Sequence, residues 1–173
     1  MLVNRDLGPC VIVWEPDGDN ITFSKTHGGV TFRYNELVAP IHRDQDGETV
    51  IDEVNTGVEN PEVEAPLTEP DLTKLVKCFG DATASADFLH VRNPVGGAHF
   101  ADAKPVIVKP IVNGAVSTTE KEWLRLHRAY PKISSMEQTY DNAGQRVTNV
   151  IFKGFPDDIS GRIRETWRHG SKS

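Results

Sequence analysis

Short runs rich in Val, Ile, Thr and Phe, separated every few residues by Gly, Asn, Asp or Pro, fill most of this chain and constrain it to a sheet-based fold. Pro9 to Trp14 is a compact apolar run suited to a buried strand. Asn20 to Ser24 and Gly29 to Ala39 follow, punctuated by Asp17-Gly18 and Gly28-Gly29. Asp44-Gln45-Asp46-Gly47 reads as a polar turn before an extended stretch from Thr49 to Val54. Thr56-Gly57 breaks the pattern, and Val58 to Ala65 is extended again. Pro61 has no N–H to give a ladder, which places that stretch on an edge or in an irregular arm.

One segment has a different period. Leu72, Leu75, Val76 and Phe79 recur at helical spacing, which predicts a short amphipathic helix over 68–79 laid on the sheet. Thr68 with Asp71 makes a capping-box-like start, Pro70 suits the first turn, and Gly80 can supply a left-handed cap. Lys74 and Lys77 favour its negative C-terminal end. Beyond it the strand signals return. Val106 to Val112 runs into the turn pair Asn113-Gly114. From Trp123 to Ala129 a helix and a strand both fit, and Pro131 with the neighbouring strands favours the extended form. Met136 to Tyr140 and Arg146 to Phe155 flank Asp141-Asn142-Ala143-Gly144 as a hairpin would. The polar stretch 157–173 reads as a mobile tail after one domain over 1–156.

A chain of 173 residues can bury roughly 70% of its unfolded surface, enough for a core without staples. Cys10 and Cys78 are too few for a disulfide-built scaffold and read as reduced, partly buried thiols. The opening Met1 to Asp6 carries no apolar stretch behind its charge, unlike a signal peptide, and no run approaches the ~18 apolar residues of a membrane span. A net charge of −6 argues against a surface built to grip phosphates.

No motif carries catalysis. The six histidines, His27, His42, His90, His99, His127 and His169, show no zinc-helix spacing. Asp44-x-Asp46-Gly47 opens like a calcium loop, but its glycine comes too early and no bidentate Glu follows at the required place. Gly28-Gly29 and Gly96-Gly97 lack the Lys and the context of a phosphate loop. Ser24, Ser134 and Ser135 have no nucleophile-elbow glycines. The adjacent pairs Asp52-Glu53 and Asp157-Asp158 would point to opposite faces of a strand, poor geometry for a cooperating acid and base. The expectation is a protein that is not an enzyme and takes no cofactor or metal.

The charge is unevenly spread. Ten acids lie between Asp44 and Thr73 without one Lys or Arg: Asp44, Asp46, Glu48, Asp52, Glu53, Glu59, Glu62, Glu64, Glu69 and Asp71. Glu62 and Glu64 alternate with Val63 and Ala65, so an extended segment there has one acidic and one apolar side. A solvated acidic loop explains this. So does a face that repels nucleic acid.

The order of elements carries a resemblance. An extended Gly8-Pro9-Cys10-Val11-Ile12-Val13-Trp14 is followed by Thr26-His27-Gly28-Gly29-Val30-Thr31-Phe32, a polar turn with Asp44 and Gly47, a long arm and one short helix. Then come Val108-Lys109-Pro110, Asn113-Gly114, the run from Trp123 to Pro131, Val150-Ile151-Phe152 and Phe155-Pro156-Asp157. Over nearly the whole chain this resembles the major tail tube proteins of siphophages, the long non-contractile-tailed bacteriophages. The resemblance implies a β-sandwich or barrel-like domain with one flanking helix, assembling as hexameric rings that stack into a tube for DNA delivery. It further implies tape measure, terminator and baseplate proteins as partners, DNA passing without specific binding, no membrane, and a place in the virion tail after assembly in the host cytoplasm.

Carried onto this chain, the arm spans about 29–66. Asp44, Asp46, Gly47, Val50, Ile51 and Val54 are its candidates for contact between rings, and Glu59, Glu62 and Glu64 are candidates to face the lumen. The tail from Arg162 to Lys172 matches no family element. A terminator or connector ring, or the tube protein of a contractile secretion device, is the nearest alternative; a β-rich hydrolase is a more distant one.

Overall fold

The computed structural model describes residues 2–42, 50–58, 60–68, 72–79, 82–84, 89–91, 99–132, 137–140, 146–156 and 167–169. The protein is mainly β, and its described strands pair antiparallel. Eight strands form the path of the main sheet: β1 (Leu2–Asp6), β2 (Cys10–Trp14), β3 (Ile21–Phe23), β4 (Thr31–His42), β6 (Glu62–Thr68), β9 (Lys104–Val112), β11 (Leu124–Pro131) and β13 (Arg146–Phe155). Their order is β1-β4-β6-β13-β11-β9-β2-β3. Four more strands attach to this path: β5 (Val50–Val58) to β4, β10 (Ala115–Val116) to β9, β12 (Glu137–Tyr140) to β13 and β14 (Trp167–His169) to β11. A separate ribbon pairs β7 (Ala82–Ala84) with β8 (Leu89–Val91).

The sheet curls strongly. β2 and β13 lie three places apart, which in a flat sheet means about 14 Å at the usual strand spacing. Yet the rings of Trp14 and Phe152 meet with centroids 5.8 Å apart. The segment after β3 also returns to β6: Thr26 bridges Leu67, His27 N–H donates to the Pro66 carbonyl and Thr68 N–H to the Lys25 carbonyl. Alternation decides what fills the concave side. Val63, Ala65 and Leu67 of β6 are buried while Glu62, Glu64, Pro66 and Thr68 between them are not. With Ile12, Trp14, Phe32, Val106, Leu126, Val150 and Phe152 they form one continuous core. A small second cluster, Val11, Val13 and Ile107 with Ile111 and Trp123 against it, covers the other face of β2 and β9. β2 is therefore buried throughout.

The helix α1 (Leu72–Cys78) buries Leu75 and Cys78, with Phe79 just beyond against Tyr130. The side chains of Leu72 and Val76 lie outside the described residues. It begins later than the capping pattern predicts, because Thr68 is the last ladder residue of β6. Lys74 reaches the Thr22 carbonyl at 3.2 Å and Lys77 faces Asp19 at 3.7 Å. A second helical turn, α2 (His99–Asp102), means that α1 is not the single helical element expected. Cys10 and Cys78 are both free thiols and fully buried. Burial, with a smaller push from the Glu15 carboxylate, raises the Cys78 pKa from the ordinary 9.0 to about 12. Among the described residues no helix is long and apolar enough to cross a membrane.

Three further expectations change. The Val58–Ala65 stretch is no edge: β6 runs between β4 and β13, and Pro61 stands just ahead of it, where it owes no ladder hydrogen. Its carbonyl instead accepts from Gly154 N–H at 2.7 Å. Thr56-Gly57 does not end a strand either, because β5 runs through it by a register shift, with Thr56 Oγ1 donating to the Leu37 carbonyl. The polar tail contains β14, and its Trp167 packs on Phe32 and Tyr34 with centroids 4.9 and 5.4 Å away. One large aromatic holds this segment where its charged neighbours suggested mobility.

Candidate functional site: a projecting hairpin with apolar faces

β4 is longer than the sheet it belongs to. Its first residues pair with β1 and β6, but from Glu36 to His42 its partner among the described residues is β5. These seven residues carry the β4–β5 hairpin roughly 24 Å from the body at the rise of an extended chain. The arm expected over 29–66 is thus shorter. Thr31–Arg33 and all of β6 belong to the main sheet, and Glu36–His42 with β5 is the part that projects. Pro40 is tolerated there because the projecting strand has an open side where no N–H is owed.

No described side chain of the hairpin is buried, although several are apolar. Leu37, Val38, Ile41, Val50 and Val54 are all exposed, Val54 at 49%. Register sorts them onto two faces. Ala39 opposes Val54 and Ile41 opposes Asp52, so Leu37, Ala39, Ile41 and Val54 share one face with Asp52 at its outer end. Val38, Pro40 and Val50 share the other with Glu53 and His42. A two-stranded ribbon with apolar faces is marginal in water unless something covers it. Of the arm candidates, Val50 and Val54 are placed on this ribbon, and Ile51 sits at its register shift with a side chain outside the described residues. Asp44, Asp46 and Gly47 lie outside the described residues altogether. Leu37, Val38 and Ile41 are the members that reading the sequence missed. Pro40, inside their apolar run, was the available sign that the run does not enter a core.

The lumen candidates come out differently. Glu59 lies outside the described residues. Glu62 pairs with Lys132 at 3.3 Å, and Glu64 pairs with Arg33 and accepts from Asn149 Nδ2 at 2.7 Å. Lys153 stands directly across the ladder from Glu62. On this convex face three cations, Arg33, Lys132 and Lys153, meet two carboxylates. The uniformly acidic strip expected here is neutralised by residues distant in sequence.

A cavity of about 380 Å³ lies where the β2–β3 turn meets the start of β9 and β11, lined by Glu15, Asp17, Lys104, Pro105, His127 and Arg128. β11 bulges there, spending three residues from Leu126 to Ala129 where β9 spends two. Both carboxylates are engaged, Glu15 with Lys104 at 3.0 Å and Asp17 with Arg125 at 3.3 Å. That arrangement ties turn to strand. Among the described residues no group of three or more His, Cys, Asp or Glu is arranged to hold a metal ion. The projecting hairpin is therefore the feature that most needs a functional explanation. No protein-family model matches the chain, and no curated protein is found to be similar to it.

Proposed function

We infer that this protein is a structural subunit of a closed homo-oligomer, resembling the ring subunits of siphophage tail tubes, with the β4–β5 hairpin as its assembly arm. The observation that carries the reading is the hairpin itself: exposed Leu37, Val38, Ile41, Val50 and Val54 on a ribbon that cannot cover them. Symmetric assembly turns such a liability into an interface. The curl of the sheet and the return of 25–27 to β6 support a barrel-like domain of the kind the resemblance implies. On this reading the rings are hexameric and stack into a conduit through which DNA passes, in a virion tail built in the host cytoplasm. Tape measure, terminator and baseplate proteins meet the tube at its ends.

The mixed charge of the β6 face favours a weakly adhesive wall over a repelling one. A terminator or connector ring uses the same subunit logic with assembly stopped at one layer. Negative-stain images of the purified protein are the test. Tubes support the tail-tube reading, single rings the terminator alternative, and monomers at high concentration refute both. Removing 44–47 should leave a folded protein that no longer stacks, and tubes of parental length from that variant would detach the arm from stacking.

A further inference from the structure

Two separate patches of exposed apolar side chains stand out among the described residues. One is the arm. The other is the β9–β10 hairpin, where Val112 and Val116 are exposed around the left-handed turn Asn113-Gly114. Val116 pairs across the ladder with Ile111, which puts it on the convex face that also carries Ile107 and Trp123. Trp123 is fixed from below by donating Nε1–H to the Ser117 carbonyl at 2.9 Å, and Lys109 Nζ sits 4.2 Å from its ring centroid. This is a firm apolar floor with a cation beside it. The arm face of Leu37, Ala39, Ile41 and Val54 ends in Asp52. The two patches complement one another, an apolar stripe tipped with acid and an apolar floor with Lys109 beside it. Of the acids nearby, Glu122 is already bonded by Ser117 Oγ, and Glu120 remains exposed.

We propose that the Leu37–Ile41–Val54 face of the arm docks on the Ile111–Val116–Trp123 patch of a second copy of this chain, with Asp52 beside Lys109. The inference rests on the assembly reading above and names the surface that receives the arm. Because the patches differ, the contact is heterologous: each copy gives an arm and receives one, so copies join head to tail until the rotation closes a ring or a filament extends. A few side chains on a ribbon this narrow fall short of the roughly 1,000 Å² that a stable pair buries. The single contact is accordingly weak, and closure, in which every copy is held twice, supplies the stability.

Cysteine pairing tests the geometry, since Cys10 and Cys78 are buried and stay silent. Val54→Cys and Val116→Cys are made separately in the full chain and oxidised alone and as an equal mixture. Assembly is followed in parallel by sedimentation and imaging. The expected result is a disulfide-linked dimer in the mixture, many-fold above either variant alone, and a ladder of linked oligomers from the double variant. Particles that assemble without a linked dimer in the mixture overturn this docking and leave the assembly reading intact. Linked dimers from Val54→Cys alone overturn it in favour of arm-to-arm pairing. Absence of assembly by the parent chain at high concentration overturns both.

Discussion

Replacing Gly154 by Ala tests how the root of the arm is fixed. Gly154 lies in β13 opposite Ala129, and a Cβ added there would fall 2.8 Å from Cγ of Pro61, 3.3 Å from the Pro61 carbonyl and 3.4 Å from a Leu126 methyl. Carbon pairs settle at about 3.5–4.0 Å, so the proline ring must retreat by roughly 1 Å. A pyrrolidine ring cannot swing aside as a long side chain does. The retreat drags the Pro61 carbonyl away from Gly154 N–H, and with it the start of β6. Overpacking of this kind costs about 1–3 kcal/mol, and weakening the hydrogen bond adds roughly 1 kcal/mol. Against that, Ala restricts the unfolded chain and returns about 0.4–1 kcal/mol. The clash wins, leaving Gly154→Ala destabilised by about 1–3 kcal/mol. For a chain of this length that lowers Tm by roughly 2–12 °C. Differential scanning calorimetry on the dilute monomer reads it directly. Pro61→Ala removes the ring and keeps the carbonyl, so the double variant should recover most of the loss. A Gly154→Ala protein melting at or above the parent would refute the contact between Pro61 and β13.

The remaining predictions address the helix, the buried thiol and the convex face. Leu75 is 1% exposed, so Leu75→Ala should cost about 2–5 kcal/mol by chemical denaturation, and an unchanged midpoint would mean α1 is not packed on the core. Because folding raises the Cys78 pKa, its contribution to stability is complete below pH 9 and declines as pH rises toward 12. At pH 8 roughly one native Cys78 in ten thousand is a thiolate, so alkylation should follow global unfolding, and fast labelling of native protein would contradict the burial. The triple variant Glu59→Lys, Glu62→Lys, Glu64→Lys should lose roughly 0.4–2 kcal/mol from its two described ion pairs. If the β6 face lines a conduit, it should also slow DNA release with steep salt dependence. Release at the parental rate in low salt would move that face out of the lumen.

The strands were legible because apolar alternation and turn residues are local signals: β2, β3, β9, β11 and the β12–β13 pair all fall where those signals lie. What was not legible depends on pairing. Nothing near Glu62 announces Lys132, and nothing near Glu64 announces Arg33 or Asn149, so the acidic window looked bare. Pro61 suggested an edge because its missing N–H was visible in sequence, while the use of its carbonyl by Gly154 was not. Trp167 was hidden by the charges around it. The sequence marks an arm here but not its apolar faces, because opposition of Ala39 to Val54 and Ile41 to Asp52 is set by a register with two shifts.

That difference in range also sets the order in which the two complementary surfaces mature. The arm joins Glu36 to Val58, close along the chain, and a hairpin of that kind zips on a timescale of about microseconds. The floor beneath Val116 exists only once β9 has found β2, in register from Cys10 with Pro110 to Trp14 with Val106. Closing so long a loop belongs to the slow, millisecond-to-second regime of sheet topologies. On the assembly reading proposed above, the ladder of the arm is therefore sampled early but is held only once the body has folded, and the surface proposed to receive it exists no sooner.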